Sequence, residues 1–326
     1  MFWYVLTFFV AVVIIFVIPR LIPGNPISSI ISQMATGGVQ SESLEKIYES
    51  FIHEFGLDKP LFFQFTDYMK NIFRGNLGVS FSLFPKTVNE ILGEALPWTL
   101  ALQLPAILVG WIAGNLLGAV AAYRKGKFDR VLFPASIFIS AMPYYVLAII
   151  LLYVFAVYFG WFPTGGGYSI TTLPSFSLSF MKDLLSHYSL PFLSIVLVTI
   201  GGQAIGMREM SIYELNTDYV TYCRMLGLSD RKISGYVFRN AMLPQITGLA
   251  ISIGTMVGGA LITEIVFGYP GIGTWLFNGI RQQDYPLIQG TTLIIIIAVL
   301  LANFIIDLVY GFVDPRIRIA QMEESR

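Results

Sequence analysis

The residue types most often used in catalysis or metal binding are few and scattered in this sequence. The histidines, His53 and His187, have no further metal ligands at a suitable spacing, and we interpret both as surface or packing residues. The single cysteine, Cys223, lies between a tyrosine and an arginine, which favours a small packed side chain over a nucleophile. The sequence has no phosphate-binding loop, nucleophile elbow or His-Glu-x-x-His pair, and no basic stripe interleaved with aromatic residues. We therefore predict a protein that is not an enzyme, has no metal site or cofactor, binds no nucleic acid and hydrolyses no ATP by itself.

Two carboxylates lie inside long apolar runs of the sequence, Glu264 and Asp307. An ionisable group in such a run is costly to bury and is by default a candidate functional group. Asp307 is close enough to the end of its run to pair with a lysine or arginine there, so a structural ion pair is an equally good interpretation. No row of acids and bases follows the runs, which argues against a proton relay.

Composition places the chain in a lipid membrane. It is 55% hydrophobic and 12% charged, with a mean hydropathy of +0.70, whereas a soluble domain carries roughly 25% charged residues. Apolar windows of about 20 residues, the length that spans a bilayer, recur along the sequence. The first of them lacks a basic leader and a small-residue cleavage site, so we expect a retained anchor and not a signal peptide. The fold class predicted is an all-α integral membrane protein.

Hydropathy predicts six transmembrane helices. They lie near residues 2–19, 98–122, 131–159, 188–206, 243–267 and 287–313. Lysine and arginine are concentrated in the short segments 123–130, 207–240 and 314–326, and such residues mark the cytoplasmic side of a membrane protein. We therefore predict a multi-pass protein of the plasma (inner) membrane with both termini in the cytoplasm. Residues 1–4 contain no basic residue to anchor the first span, which favours further residues upstream.

Residues 20–97 are predicted to form a small helical cap on the extracytoplasmic side, between the first two spans. A helix over about 44–55 ends at Gly56, and a second helix starts at Pro60. The apolar face of the second helix is expected to consist of Phe62, Phe65, Met69 and Phe73. We interpret these aromatic stripes as structural core and not as a ligand site.

Two further outer segments, 160–187 and 268–286, are rich in glycine and proline and are expected to be irregular. Irregular backbone at membrane depth is tolerated where protein buries it or water reaches it, as at the mouth of a path through the protein. The residues that we assign to an extracytoplasmic gate or loop are Glu264, Tyr269, Pro270, Gly271 and Gly273. Within the spans, Gly110, Gly114 and Gly118 form one ridge of small residues, and Gly254 and Gly258 form another; both predict close helix packing.

The polar, basic segment 207–240 is too long for a simple turn between two apolar runs. Asp218 is expected to cap a short helix that Gly227 ends in a left-handed conformation, and Ser229 to cap a second helix leading to Pro244. The apolar anchors on the first helix are expected to be Tyr219, Tyr222, Met225 and Leu226. Such a helix either docks in a groove of a soluble partner or lies on the lipid surface, and the pattern alone leaves both interpretations open.

The segment resembles the cytoplasmic coupling motif of binding-protein-dependent ABC transporter permeases, in the dipeptide, oligopeptide and nickel branch. The stretches that carry the resemblance are 21–26, 55–60, 75–80, 218–220, 227–229, 239–244, 263–267, 269–273, 284–286 and 314–318. Their order along nearly the whole chain makes the resemblance specific to the first of the two permease subunits of such a system.

The resemblance implies a function and a set of partners. The chain would form an alternating-access path with a second permease, expected to be a different chain, in a membrane lipid environment. An extracytoplasmic binding protein would deliver the solute, and two ATP-binding ABC subunits would drive the transport. The residues implied in ATPase coupling are Asp218, Tyr219, Tyr222, Cys223, Met225, Leu226, Gly227, Leu228, Ser229, Asn240 and Pro244. The domains implied are an anchor (1–19), a cap (20–97), a five-helix core (98–313) and a cytoplasmic tail (314–326).

Local departures and alternatives accompany this reading. The family commonly has Thr-Ala where this chain has Tyr222-Cys223, and Lys where it has Leu226, which indicates a change of partner specificity without loss of docking. Asn25 and Asn76 stand where the branch often has aspartate. Di- and oligopeptides are the expected solutes, with oligosaccharides or nickel as alternatives. A stand-alone channel or a membrane-embedded enzyme is the alternative from another class.

Overall fold

The computed structural model describes residues 2–21, 50, 52–53, 56–124, 126–259 and 261–313. Within these ranges, nothing is described of the side chains of residues 2, 247, 250–251, 253–259 and 306–313. Several predicted features therefore lie outside the described part: most of the helix 44–55, Asn25 and the tail 314–326. The packing around Gly254 and Gly258 and the side chain of Asp307 also lie outside it.

The described chain is helical, and extended residues meet in it at one isolated bridge, between Val79 and Thr87. In chain order the helices are α1 (Phe2–Leu21), α2 (Leu61–Phe73), α3 (Val88–Arg124), α4 (Lys127–Ser140), α5 (Tyr144–Leu151), α6 (Leu178–Leu215), α7 (Asp218–Met225), α8 (Asp230–Gly259), α9 (Leu261–Val266), α10 (Ile272–Gln282) and α11 (Tyr285–Val313). A π-helical segment, Leu152–Tyr158, continues α5.

Within the described ranges, four helices are long and apolar enough to cross a membrane: α1, α3, α6 and α11. The pair α4 and α5 is bent by 102° at its break and adds one more candidate if it is counted as a single span. The span predicted at 243–267 falls in α8 and α9, where many side chains lie outside the described part. The all-helical membrane class is confirmed for the described chain, and the count of six spans stays a prediction.

Two spans begin well before the positions that hydropathy predicts. Helix α3 starts at Val88 because Thr87 and Glu90 form a capping box: Thr87 Oγ1 accepts from Glu90 N at 3.2 Å, and Glu90 Oε2 accepts from Thr87 N at 3.0 Å. Helix α6 starts at Leu178, where Ser177 Oγ accepts from Phe180 N at 3.3 Å. Caps decide where these helices begin, whereas a hydropathy window responds only to the apolar stretch inside them.

The two outer segments are less irregular than predicted. Residues 178–187 belong to α6, and α10 occupies most of 268–286. Gly268, Pro270 and Gly271 precede the helix, while Gly273 and Gly279 lie within it, and the helical sequence carries apolar residues on one face. Helix α10 then ends at Gln283, which has a left-handed backbone with φ 54°.

The chain divides into two compact units, residues 1–99 with 270–298 and residues 100–269 with 299–326. In the first unit, Val12 and Ile15 of α1 and Leu293 of α11 are buried together, and Met69 of α2 packs against them. Arg20 at the end of α1 donates from Nη2 to Gln64 Oε1 at 2.9 Å, which ties α1 to α2.

The face of α2 that packs inward differs from the predicted one. Phe65 and Met69 contact the core as expected, and the Phe65 ring lies 5.1 Å from that of Phe16. Phe62 and Phe73, however, are 71% and 70% exposed, so their predicted place on the packed face is wrong. The side of α2 that is buried is the side that faces α1. Helix α2 has additional apolar residues on its other sides, and these are exposed.

In the second unit, the glycine ridge of α3 packs closely against α6, as predicted. A Cβ on Gly114 would lie 2.7 Å from the Cβ of Gln203, and one on Gly118 would lie within 2.4 Å of a backbone oxygen of α6, that of Ala204. These distances leave no room for a side chain. Helix α6 makes a similar approach to α4 at Gly201, whose Cβ would lie 2.9 Å from the Ser136 carbonyl oxygen. Small residues thus allow the helix backbones to pack closely. Within a membrane this packing stabilises helix association, because the hydrophobic effect does not drive it there.

Candidate functional site

The basic segment folds as a helical hairpin between two long helices. Helix α6 ends at Leu215, α7 runs over Asp218–Met225, and α8 begins at Asp230. Val220 of α7 is buried against Ile233 and Val237 of α8, and the surrounding partly buried residues are Tyr123, Leu215, Tyr219, Cys223 and Leu228. This small core holds α7 against α8 and leaves the opposite side of α7 free for contact.

The carboxylate of Glu214, in the last turn of α6, connects the hairpin to that helix. Its Oε2 accepts from the Tyr219 hydroxyl at 2.7 Å and from Asn240 Nδ2 at 3.4 Å. Burial, and then the hydrogen bond to Glu214, raise the pKa of the Tyr219 hydroxyl above its usual value. Three helices therefore meet at one side chain, and the orientation of α7 is coupled to α6 and α8. Glu214 is not among the residues predicted from the sequence, because no local pattern marks it.

The start of α7 differs from the prediction, and its end agrees with it. The N-terminal cap position is occupied by Thr217, and Asp218 is the first helical residue, so the capping role assigned to Asp218 is wrong. A carboxylate in the first turn is still favourable beside the positive end of the helix dipole. At the other end, Gly227 has φ +73°, the left-handed backbone that was predicted.

The turn after α7 is a Schellman motif. Gly227 N donates to Arg224 O at 3.0 Å and Leu228 N donates to Cys223 O at 3.2 Å. The side chains of Cys223 and Leu228 both pack against the buried core of the hairpin around Val220. Ser229 stands immediately before α8, as predicted, and its carbonyl accepts from Ile233 N at 3.1 Å.

The outward side of α7 carries large apolar side chains. Tyr222, Met225 and Leu226 are 63%, 80% and 61% exposed. Tyr222 and Met225 also line a shallow depression, whose other residues are Asp218, Tyr219 and Thr221. Exposed apolar clusters of this kind mark sites of contact with protein or membrane. Asn240 and Pro244 lie further along, in α8, where Asn240 contacts Glu214 and Pro244 is inside the helix.

The residues assigned to the outer gate fall in both units. In the second unit, Glu264 lies inside α9 and is fully buried, and its Oε1 accepts from Gln103 Nε2 at 3.1 Å. Tyr269, 2% exposed, donates from its backbone N to the Glu264 carbonyl at 2.8 Å. Glu264 is therefore a packed helical residue, as its place in an apolar run predicts, and its role in a gate stays a prediction.

In the first unit, Pro270 and Gly271 precede α10, and Gly273 lies inside that helix, so its assignment to a loop is wrong. The first helical amide, Ile272 N, donates to Thr99 Oγ1 at 2.8 Å in a buried position. A hydroxyl from α3 thus satisfies one of the amides that a helix start leaves without a partner.

The outer loop 160–177 of the second unit is ordered by specific contacts. Gly166 N donates to the Phe267 carbonyl at 2.8 Å, and a Cβ on Gly165 would lie 2.6 Å from the same oxygen. Asp183 of α6 accepts from Ser169 N at 2.7 Å and from Ser169 Oγ at 2.6 Å. The glycine run lies in irregular backbone, as predicted, and there it contacts the residue that follows α9.

Comparison with known proteins identifies the family of the chain. Residues 114–319 match the family described as "binding-protein-dependent transport system inner membrane component". The chain belongs to this family. The resemblance inferred from the sequence motifs is thereby confirmed: the protein is a multi-pass permease of the inner membrane and a component of a binding-protein-dependent transport system.

Relatives match this permease along nearly its whole length. The di/tripeptide transport system permease protein DppB of Pseudomonas aeruginosa is 34% identical over 96% of this chain and 95% of its own. The oligopeptide transport system permease protein OppB of Haemophilus influenzae is 30% identical with the same coverage. The glutathione transport system permease protein GsiC of Escherichia coli is 29% identical, again over 96% and 95%.

Proposed function

We propose that this permease is a subunit of an ABC importer for di- or oligopeptides. With a second, different permease it encloses a path that opens alternately to the two sides of the membrane. Full-length similarity to a di/tripeptide permease and an oligopeptide permease supports this solute class. Because it is a mechanical subunit, the permease needs no catalytic residue of its own.

The observation that carries the proposal is the exposed apolar side of α7. Tyr222, Met225 and Leu226 point away from the small core around Val220, and Glu214 holds the helix in a defined orientation. We assign this surface to contact with one of two ATP-binding subunits in the cytoplasm. A partner that binds ATP and contacts one orientation of the hairpin better than another shifts the whole permease between its states. Tyr222 and Leu226, which depart from the family's usual residues and lie on the exposed side, then set which ATPase the permease accepts, whereas Cys223 packs inward.

The proposed topology follows from the charge pattern. Six spans with both termini in the cytoplasm place α7 and the ion pair between Asp129 and Arg208 on the cytoplasmic side; Arg208 Nη2 donates to Asp129 Oδ2 at 2.7 Å. They place residues 20–97 outside as a cap, where we propose that it contributes to docking of the binding protein. The core 98–313 then contains the coupling segment 207–240, and 314–326 is a cytoplasmic tail.

The residues around α9 are proposed to form the outer gate. The bond from Gln103 to Glu264 and the contact from Gly166 to Phe267 hold the start and the end of α9 within the second unit. Movement of α9 would therefore change the packing of α3 and of the outer loop together. Such a coupled change is what a gate on the binding-protein side requires.

Reconstitution tests the proposed function. The permease is co-expressed with the second permease and the two ATPase subunits, and the assembly is placed in vesicles with the binding protein. Uptake of radiolabelled trialanine should require ATP, the binding protein and both ATPases. Uptake without the ATPases would favour a channel, and ATP-driven uptake of an oligosaccharide or of nickel in place of the peptide would overturn the peptide assignment.

A further inference from the structure

A polar cavity lies among five helices, α3, α4, α5, α6 and α8, within the second unit and at positions that hydropathy places inside the membrane. It has a volume of about 210 Å³, and its polar walls are formed by Ser140, Tyr144, Thr199, Gln203 and Ser252. Among the described residues, the rest of the lining is uncharged and mostly apolar. The volume is below the roughly 300–1,000 Å³ of a pocket that encloses a whole drug-sized ligand. The cavity therefore has room for one part of a solute, such as a peptide unit.

The cavity adjoins the break between α4 and α5. The two helices meet at an angle of 102°, and Ser140 and Tyr144 stand on the two sides of the break. Non-helical backbone at membrane depth is tolerated only where protein buries it or where it lines a water-filled space. Broken helices at mid-membrane also mark solute sites in other transporters, because the interrupted backbone supplies polar groups there. The interrupted backbone between α4 and α5 therefore favours a polar contact with a solute here, independently of the side chains.

Several polar groups of the wall can accept a hydrogen bond. Gln203 Oε1 is buried and accepts no hydrogen bond from the described residues. The hydroxyls of Ser140 and Thr199 donate to carbonyl oxygens of their own helices, at 3.2 Å and 2.8 Å. A hydroxyl used in this way keeps its lone pairs for an incoming donor. An uncharged wall rich in acceptors matches N–H groups, which each non-proline peptide unit carries, and does not select for the charge of a side chain.

We propose that this cavity is where the permease contacts the N–H groups of the transported peptide, with Gln203 as the principal acceptor. This inference rests on the proposed function and extends it from the subunit to particular residues of the path. Gly114 of α3 lies close to the Cβ of Gln203, so α3 packs directly beside the base of this side chain. Ser252 brings α8, the helix that continues from the coupling hairpin, into the same wall. Movement of the hairpin would thereby alter the contact with the peptide.

The first test measures accessibility in the assembled transporter. Gln203→Cys and Ser252→Cys are exposed in vesicles to a small negatively charged methanethiosulfonate reagent, and labelling at each position is read by mass spectrometry, which scores the native Cys223 separately. Both variants should react, and saturating trialanine with its binding protein should slow the reaction about tenfold. Leu193→Cys, on the outward side of α6, is the matched control and should show no protection. Absence of labelling, or labelling that the peptide does not change, would overturn the proposal.

The second test measures the role of the carboxamide. Gln203→Leu removes the acceptor and keeps the size of the side chain, and it should lower trialanine uptake about tenfold at saturating binding protein. Gln203→Asn, which restores an amide, should recover part of the uptake. Gln245→Leu, a buried glutamine of α8 outside the cavity, controls for general loss of packing and should reduce uptake less than twofold. Equal loss in Gln203→Leu and Gln245→Leu, without recovery in Gln203→Asn, would contradict a contact with the peptide.

Peptide uptake by the wild-type assembly distinguishes failure of the proposed cavity contact from failure of the proposed function. If the wild-type assembly transports trialanine but the variants behave like their controls, the cavity assignment alone fails. If the wild-type assembly transports no peptide, the proposed function fails with it.

Discussion

The carboxylate of Asp284 accepts a hydrogen bond from the hydroxyl of Ser80 at 2.5 Å, across 204 positions of sequence. Ser82 donates to the same oxygen twice, from its backbone N at 2.9 Å and from its hydroxyl at 2.8 Å. The other oxygen accepts from Leu287 N at 3.1 Å and so caps α11. One fully buried carboxylate therefore joins the segment before α3 to the start of the last helix within the first unit.

Asp284→Ala should destabilise the first unit strongly. The change leaves two hydroxyls and two amides without their acceptor, and each buried group left unsatisfied costs about 1–3 kcal/mol. We expect the temperature at which detergent-purified permease loses its monodisperse peak in size-exclusion chromatography to fall by several degrees. Asp67→Ala, which removes an exposed ion pair with Lys59, should shift that temperature little, since such pairs contribute about 0–1 kcal/mol. Equal shifts for the two variants would contradict a structural role of Asp284.

The packing of the glycine ridge in α3 predicts that a glycine-to-alanine change has opposite effects on stability at Gly118 and at Gly93. In Gly118→Ala the new Cβ would lie within 2.4 Å of the Ala204 carbonyl oxygen, whereas in Gly93→Ala it would have nothing within 4 Å. Overpacking of this kind costs about 1–3 kcal/mol, and Gly-to-Ala in an open helical position stabilises by up to about 1 kcal/mol. Thermal stability in detergent should therefore fall for Gly118→Ala and hold or rise for Gly93→Ala. The opposite order would show that α3 and α6 do not pack at this ridge.

Gly227→Val should leave insertion of the permease into the membrane intact and impair its coupling to the ATPase subunits. Gly227 has φ +73°, and a left-handed backbone costs a residue with a side chain about 1–2 kcal/mol. A Cβ there has nothing within 4 Å among the residues that the structure describes, so we expect a clash to involve a partner. We expect normal membrane insertion, reduced peptide uptake, and ATPase subunits that dissociate or no longer respond to the solute.

Gly235→Val is the matched control for this change. Gly235 also has open space at its Cβ, but it lies inside α8 without a positive φ. Its uptake should stay near the wild-type level. Normal uptake by Gly227→Val with the ATPases bound would remove Gly227 as the hinge of the coupling hairpin and favour a helix on the lipid surface.

The raised pKa of Tyr219 predicts a pH dependence with a definite sign. The hydroxyl is neutral in the folded state, and its contribution to stability is fully present below the ordinary tyrosine pKa of about 10. That contribution is lost as the pH rises through the raised pKa of the folded state. Above about pH 10, wild-type thermal stability should therefore fall more steeply than that of Tyr219→Phe. Tyr213→Phe, a change at an exposed tyrosine of α6, should follow the wild type; if Tyr219→Phe does the same, the bond to Glu214 contributes nothing.

The proposed orientation predicts which side of the membrane a thiol reagent reaches. Ile170 in the outer loop is fully exposed, so Ile170→Cys in right-side-out vesicles should react rapidly with an impermeant maleimide. The native Cys223 in the same protein should stay unlabelled until the vesicles are opened, and mass spectrometry distinguishes the two sites. Labelling of Cys223 from outside with Ile170→Cys protected would reverse the topology.

The sequence by itself determined the features that depend on short stretches of chain. The membrane class follows from apolar run length, the left-handed Gly227 from a glycine between two helical patterns, and the close packing of α3 from glycines at every fourth position. Each of these is decided by neighbouring residues or by the solvent, and no knowledge of the fold is needed. The capping box at Thr87 and the cap at Ser177 were also legible in the sequence, and attention to them would have located the starts of α3 and α6.

Only the tertiary structure decided which side chains meet. Phe62 and Phe65 are equally apolar, and the position of α1 alone determines that Phe65 packs and Phe62 is exposed. Glu214 shares no sequence pattern with Tyr219 and Asn240, and Asp284 shares none with Ser80, because hydrogen bonds between distant segments depend on how helices cross. The polar cavity at Gln203 is likewise formed by five helices, so its walls exist only once those helices have packed.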